Sequence, residues 1–159
     1  MVREKIMPKL VICCGIPASG KNHHIDNLTH YQGERFVQLN ADMVRAMVTG
    51  DESDQSENNN VFKCLHLFTR ILLLQGINVI ISNTNYNFKN RKEFIKIGQS
   101  CGAQIHALVF NTPYETCAAR NAARRRVVPI HILEKMRDGW QEPTRKEGFD
   151  NIQYIEYKE

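Results

Sequence analysis

A glycine-rich loop near the start of this 159-residue chain constrains its fold more than any other feature. The loop runs from Gly15 to Asn22 and reads Gly-Ile-Pro-Ala-Ser-Gly-Lys-Asn. It directly follows the apolar run 10–14, and it matches the phosphate-binding pattern G-x-x-x-x-G-K-[ST] at every position except the last. A strand, such a loop and a helix in that order present backbone N–H groups to nucleotide phosphates. The sequence therefore predicts that a nucleoside triphosphate binds through Gly15, Pro17, Ala18, Ser19, Gly20, Lys21 and Asn22.

Apolar runs alternate with amphipathic segments along the rest of the chain, which is typical of β-α-β units. We predict an α/β fold of the P-loop NTPase type: three layers, α/β/α, with a mostly parallel sheet of about five strands and a short helical lid. The predicted strands cover 9–14, 35–39, 77–82, 103–110 and 151–157. The predicted helices cover 20–32, 41–48, 59–75, 88–100, 113–123 and 129–140. The polar segment 49–60 is expected to be either a surface loop near the site or a plain connector.

Length, cysteine content and charge bound the class of protein. The length suits one domain with one hydrophobic core, so we expect residues 1–159 to form a single domain. The five cysteines form no C-x-x-C pair, and no apolar run is long enough to cross a bilayer. We therefore expect reduced thiols, no membrane contact and a cytoplasmic location. The net charge of +4 suits a polyanionic ligand such as a nucleotide or nucleic acid without requiring one.

The end of the second predicted strand carries an acidic residue, Asp42, followed three positions later by Arg45. Ligands of open parallel sheets bind beyond the carboxyl ends of the strands. A carboxylate at that place can accept the proton of an attacking hydroxyl, and Arg45 could bind a substrate phosphate. Spacing alone equally allows Asp42 to cap the next helix and Arg45 to be a solvated charge.

The end of the third predicted strand carries Asn83 and Thr84, where many phosphate-loop enzymes have an aspartate that holds magnesium through water. Asn83 is a neutral amide, as is Asn22 at the end of the loop. The same residues would also suit a turn capped by its own side chains. The two asparagines are the candidate metal ligands.

Arginines cluster late in the chain, from Arg120 through Arg124, Arg125 and Arg126. Such clusters often only face solvent. This one lies between two predicted helices, where a lid arginine could stabilise charge on a moving phosphoryl group. We therefore predict a lid here.

Together these segments resemble the 5′-kinase domain of phage polynucleotide kinases, within the adenylate-kinase-like P-loop kinases. The resemblance covers about 9–140 and rests on the loop, on Leu39-Asn40-Ala41-Asp42 with Arg45, on 79–85 and on 120–129. It implies that Asp42 is the general base and that Lys21 is the phosphate-loop lysine. It implies that Arg45 contacts the 3′-phosphate of the acceptor, beside Asn40 and Thr84. It also implies that Arg120 and Arg124 bind ATP phosphates, with Arg125 or Arg126 as substitutes for Arg124 because the lid is one residue shorter.

Three departures from that family affect the expected function. Asn22 replaces a serine or threonine, Asn83 replaces an aspartate, and the phosphatase motif Asp-x-Asp-Gly-Thr is absent. We therefore expect a kinase domain without a phosphatase domain, which uses ATP or another nucleoside triphosphate and Mg²⁺. The expected reaction is phosphorylation of a 5′-hydroxyl end of DNA or RNA, as in nucleic acid repair. The alternatives are another hydroxyl acceptor (a nucleotide, a small metabolite or a hydroxymethylated base in DNA) or an inactive nucleotide-binding protein. The sequence does not indicate an oligomeric state.

Overall fold

The protein contains a five-stranded sheet in which every neighbouring pair is parallel, in the order β4-β5-β1-β6-β7. The computed structural model describes residues 7–26, 30–31 and 33–158. The sheet strands are β1 (Lys9–Cys14), β4 (Val37–Leu39), β5 (Val79–Ile81), β6 (Gln104–Phe110) and β7 (Asn151–Ile155). A small antiparallel hairpin precedes β4 and consists of β2 (His30–Tyr31) and β3 (Glu34–Arg35). The prediction of about five mostly parallel strands is confirmed.

The helices are α1 (Lys21–Asp26), α2 (Ala41–Thr49), α3 (Asn58–Leu74), α4 (Phe88–Ser100), α5 (Tyr114–Ala122) and α6 (Ile130–Asp138). A short 3-10 helix, Arg145–Glu147, precedes β7. Helices cover both faces of the sheet, which gives the three-layer α/β/α fold that the sequence predicts.

The central strand β1 explains why the sheet is parallel and buried. It pairs with β5 on one side and with β6 on the other, so Leu10 lies opposite both Val79 and Ile105. Residues 10–14 are completely buried, because helices cover the strand from both sides. A strand in that position reads as a continuous apolar run rather than as an alternating one.

The two faces of the sheet form separate hydrophobic clusters. Leu10 and Ile12 face α3 and α4, where Leu65 and Phe94 join them. Val11 and its neighbours pack with Ile25 of α1 on the opposite face. A third, smaller cluster consists of Ile16, Cys117 and Leu133, and it packs α5 and α6 under the glycine-rich loop. The loop is therefore supported from the sheet and from the late helices.

The region between α1 and β4 differs from its prediction. The predicted helix 20–32 is wrong at His30–Tyr31, which pairs with Glu34–Arg35 around Gly33 (φ 78°). A positive φ is easy for glycine, so Gly33 forms a hairpin turn here instead of a helix cap. The predicted strand 35–39 is divided between this hairpin and β4. Residues 27–29 and 32 of the predicted helix lie outside the described residues.

The remaining elements agree with the predictions to within a few residues. The third predicted strand is shorter, since β5 begins at Val79. The last predicted strand is also shorter, since β7 ends at Ile155. Among the residues with described positions, no helix has both the length and the apolar character needed to cross a bilayer.

Candidate functional site

A cleft of about 580 Å³ lies at the carboxyl edge of the sheet, where β1, β4 and β5 end. It brings together these predicted site residues: Pro17, Ala18, Gly20, Lys21, Asn22, Asn40, Asp42, Asn83, Thr84, Arg120 and Arg124. Predicted residues that do not line it are Gly15, Ser19 and Arg45. Of the two alternatives to Arg124, Arg126 lines the cleft and Arg125 does not. Residues that line it but were not assigned are His23, Ser82, Val128 and Met136. The location agrees with the rule for ligand sites of open α/β sheets.

The glycine-rich loop is tightly folded against the neighbouring strand end. The N–H of Gly15 donates to the carbonyl of Thr84 at 2.8 Å. A Cβ atom on Gly15 would lie only 2.5 Å from Ser19 Oγ, so no larger residue fits without movement. Ala18 (φ 63°) and Gly20 (φ 97°) adopt left-handed conformations. These turns curl the backbone around the space where the pattern predicts the phosphates.

The lysine of the loop, Lys21, is buried at the floor of the cleft. Its Nζ donates to the carbonyls of Gly15 (2.6 Å) and Ile16 (2.9 Å) and to Ser19 Oγ (3.3 Å). Burial, with a smaller contribution from nearby Arg124, lowers its pKa from 10.5 to about 8. An anion bound in the loop would reverse this effect, because it favours the ammonium form.

Asp42 lies in the first turn of α2, with its side chain 53% exposed. Its Oδ1 accepts a hydrogen bond from Arg45 Nη1 at 2.5 Å. Its Oδ2 accepts one from Arg126 Nη1 at 3.2 Å. The N-terminal position of Asp42 in α2 also stabilises its negative charge. The carboxylate is therefore ionically paired on both oxygens, and one of its partners belongs to the predicted lid.

Asn40 and Asn83 fix the start of α2 at the strand ends. Asn40 Oδ1 caps the helix by accepting the N–H of Met43 at 2.8 Å, and Asn40 Nδ2 donates to Ser82 Oγ at 3.2 Å. Asn83 Oδ1 accepts the N–H of Ala41 at 2.8 Å. Both amides therefore have a structural role in addition to the one assigned to them from the sequence.

The two candidate metal ligands have different surroundings. Asn83 Nδ2 is buried without a hydrogen-bond partner, and Ala41 N–H fixes the amide orientation, since a flip would bring two donors together. The side of Asn83 without a partner is therefore a donor, which suits a phosphate or water oxygen better than a cation. Asn22 is exposed and lines the cleft, where its amide oxygen can act as a hard ligand. Among the described residues there is no cluster of three His, Cys, Asp or Glu side chains suited to a metal.

The predicted lid is the segment 120–129; its first three residues belong to the end of α5, and 123–129 connects α5 to α6. Asn121 closes its base: Nδ2 donates to the carbonyl of Val128 at 2.8 Å, and Oδ1 accepts the N–H of Val128 at 3.0 Å. Arg120, Arg124 and Arg126 line the cleft. Arg126 also contacts Glu52 of the polar segment at 3.7 Å. The segment 49–60 therefore lies beside the mouth of the cleft.

Two residues that support the site, Asn85 and Arg91, were not identified from the sequence. Asn85 (φ 43°) is buried, and its Nδ2 donates to the carbonyl of Cys13 at 2.8 Å. Arg91 of α4 donates to the carbonyl of Asn85 at 3.0 Å and pairs with Glu147 at 2.8 Å. A charged residue in an amphipathic helix gives no sign of burial, so only the location of its partner Glu147 could have revealed this role.

Comparison with known proteins places most of the chain in one family. Residues 10–143 match the family AAA_33, described as AAA domain. The chain is 25% identical over 158 residues to the transcription factor bHLH140 of Arabidopsis thaliana, covering 95% of this chain and 16% of that protein. It is 22% identical over 149 residues to L-seryl-tRNA(Sec) kinase of Methanococcus maripaludis, covering 89% of this chain and 56% of that protein. It is 23% identical over 155 residues to the bifunctional polynucleotide phosphatase/kinase of Schizosaccharomyces pombe, covering 94% and 34%.

Two solved structures extend the comparison. A chain of the Pnkp1/Rnl/Hen1 RNA repair complex superposes with a TM-score of 0.72 at 25% identity, covering 85% of this chain and 44% of that one. Kti12 of Chaetomium thermophilum in complex with ADP-AlF3 gives a TM-score of 0.67 at 14% identity, covering 92% and 88%, which supports the fold alone. The chain thus spans less than two thirds of the length of the curated relatives named above. The P-loop kinase-like fold implies a nucleotide-binding protein.

Proposed function

This chain belongs to the AAA domain family AAA_33, and from that premise we propose that it is an ATP-dependent kinase for the 5′-hydroxyl end of a polynucleotide. The acceptor can be DNA or RNA, and a role in nucleic acid repair is part of the proposal. We propose that residues 1–159 form one kinase domain. Two of the relatives support a nucleic acid acceptor by name, one a polynucleotide phosphatase/kinase and the other a seryl-tRNA kinase.

The observation that carries this proposal is the shared cleft of Asp42 and Lys21. Lys21 lies on the glycine-rich loop, and Asp42 lies across the cleft at the start of α2. A triphosphate on the loop and a hydroxyl beside Asp42 would meet between them. Phosphoryl transfer depends mainly on such positioning and on electrostatic stabilisation.

In the proposed reaction, the acceptor oxygen attacks the γ-phosphorus of ATP, and its proton passes to the Asp42 carboxylate. The bond from the γ-phosphorus to the oxygen of ADP breaks, so ADP leaves with its electron pair. Lys21 holds the phosphates on the loop side. Arg120 and Arg124 hold them from the lid side, where positive charge offsets the charge on the transferred group.

The residues present fit a magnesium ion that is held mainly by phosphate oxygens and water. Mg²⁺ usually keeps several waters and takes only one or two protein ligands. Asn22 would supply an amide oxygen, and Asn83 would hold a metal-bound water or a phosphate oxygen through its buried N–H group. When bound, the ion would neutralise charge on the β- and γ-phosphates.

The direct test is transfer of labelled phosphate from ATP to a 5′-hydroxyl oligonucleotide of DNA or of RNA. Single nucleosides, seryl-tRNA and simple sugars are offered in parallel as competing acceptors. The proposal expects transfer to at least one oligonucleotide and weaker transfer to the others. Transfer only to a small acceptor would show that the protein is a kinase for small molecules and not for polynucleotide ends. ATP binding without transfer to any acceptor would indicate a nucleotide-binding protein without kinase activity.

A further inference from the structure

The arginine of α2, Arg45, lies underneath the cleft rather than in it. It is only 4% exposed and does not line the cleft, although Asp42, three residues earlier on the same helix, does. Arg126 on the lid has a side chain that is 43% exposed. An acceptor phosphate would therefore reach Arg126 more easily than Arg45.

The guanidinium group of Arg45 is held by three segments of the chain. Nη1 donates to Asp42 Oδ1 at 2.5 Å and to the carbonyl of Glu52 at 3.1 Å. Nη2 donates to Asn58 Oδ1, at the first turn of α3, at 3.0 Å. A planar guanidinium with partners on both amino groups has a fixed orientation, which lysine cannot reproduce.

Asn58 is itself fixed. Its Oδ1 must face Arg45, because a guanidinium can only donate, and its Nδ2 then donates to Gln55 Oε1 at 2.7 Å. The carbonyl of Arg45 in turn accepts from Thr49 Oγ1 at 2.9 Å, which ties the end of α2 to the same cluster. The path from Asn58 through Arg45 to Asp42 thus consists of hydrogen bonds with defined donors and acceptors.

Building on the proposed function, we propose that Arg45 and Asn58 are positioning residues for Asp42, and that Arg45 is not a ligand of the acceptor phosphate. Asn58 holds Arg45, and Arg45 holds Oδ1 of the carboxylate. Oδ2, whose partner Arg126 belongs to the lid, is then the oxygen that accepts the proton of the acceptor hydroxyl.

The test compares two acceptors that differ only in one phosphate: a nucleoside 3′-monophosphate and the corresponding nucleoside. Asn58→Ala should lower kcat about 10- to 100-fold, the size expected when a reacting group is misplaced by a fraction of an ångström. KM should change less than about twofold, and the loss should be the same for both acceptors, because no contact with acceptor is removed. Asn58→Asp should restore most of kcat, since a carboxylate oxygen also accepts from Nη2.

A matched control is Asn60→Ala, which removes an exposed asparagine of the same helix whose Nδ2 contacts Glu57. It should leave both kinetic constants unchanged. Arg45→Lys completes the set and should lower kcat equally for both acceptors. A loss confined to KM of the 3′-phosphorylated acceptor would show that Arg45 binds that phosphate and would overturn the inference.

Wild-type kcat in Asn58→Ala would also overturn the inference while leaving the proposed function intact. If the wild-type protein transfers phosphate to neither acceptor nor to an oligonucleotide, the proposed function fails and the inference fails with it. Unfolding of Asn58→Ala is checked by its thermal melting curve. If that variant does not fold, kcat and KM of Asn58→Asp and Arg45→Lys are compared for the two acceptors instead. A loss in kcat that is equal for both acceptors supports the inference, and a loss confined to KM of the 3′-phosphorylated acceptor overturns it.

Discussion

Replacing Arg91 by methionine tests how the segment between β5 and α4, which contains Asn85, is held in place. The Arg91 guanidinium makes two hydrogen bonds to Glu147, with Nε at 2.8 Å from Oε1 and Nη2 at 3.2 Å from Oε2. Nη1 donates to the carbonyls of Asn85 (3.0 Å) and Gln141 (2.9 Å). The Arg91 and Glu147 side chains are only 1% and 8% exposed. Methionine would fill the space but leave a buried carboxylate and two carbonyls without these donors.

The expected loss in free energy of unfolding is about 3–5 kcal/mol, the typical cost of removing one partner of a buried ion pair. For a chain of this length, that corresponds to a melting temperature lower by about 6–20 °C, at roughly 2–4 °C per kcal/mol. Thermal unfolding and urea unfolding both measure it. Nucleotide binding should weaken as well, because Asn85 is adjacent to Thr84, whose carbonyl holds Gly15.

An exposed ion pair with the same separation provides the control. Arg137 Nε lies 2.8 Å from Asp138 Oδ1, but the two side chains are 43% and 68% exposed. Arg137→Met should therefore lower the free energy of unfolding far less than Arg91→Met, since water and salt screen such pairs. A double-mutant cycle of Arg91→Met with Glu147→Gln should give a coupling of about 0.5–3 kcal/mol. Equal losses for Arg91→Met and Arg137→Met would refute the reasoning from burial.

Three further predictions concern the loop lysine, a helix contact and the metal ligand. ATP affinity should fall by up to about tenfold per pH unit as the pH rises above about 8, because Lys21 of the free protein has a pKa of about 8 and bound phosphates favour its ammonium form. Titration calorimetry measures this affinity. The variant Lys21→Met should bind ATP more weakly and without this dependence on pH. Gly98→Ala should lower the melting temperature, with a steric cost of about 1–3 kcal/mol, because the new Cβ would lie 2.9 Å from Ile105 Cδ1, and Ile105→Val should partly restore it. Asn22→Ser should lower the Mg²⁺ concentration that gives half-maximal phosphate transfer, which is measured from the transfer rate at a series of Mg²⁺ concentrations. An unchanged half-maximal concentration would show that Asn22 is not a metal ligand.

The sequence predicted the sheet because buried parallel strands leave a strong signal. The predicted strands 9–14 and 103–110 consist mostly of apolar residues, and each lies within a residue of an observed strand. The hairpin around Gly33 was missed because strands of two residues have too short a pattern to recognise. In the sequence, a glycine that ends a helix cannot be distinguished from a glycine that forms the turn of a hairpin.

The site was predictable where chemistry depends on short spacing along the chain. The loop follows from its motif, whereas the roles of Asp42 and the lid arginines were assigned through the family resemblance; the cleft brings most of these residues together. The burial of Arg45 was not predictable, because its partners Glu52 and Asn58 lie in a polar segment without periodicity. The supporting role of Arg91 likewise depends on Glu147, which is 56 residues away.

The most direct test of the central claim is the single-turnover rate of phosphate transfer from ATP to a 5′-hydroxyl oligonucleotide in Asp42→Asn. Asparagine keeps the size of the side chain and an oxygen that can accept from Arg45, but it cannot take up the proton. The rate should fall by about 10²–10⁴, the usual contribution of a general base, while ATP affinity stays unchanged. Transfer by Asp42→Asn at the wild-type rate would contradict the assignment of Asp42 as the base.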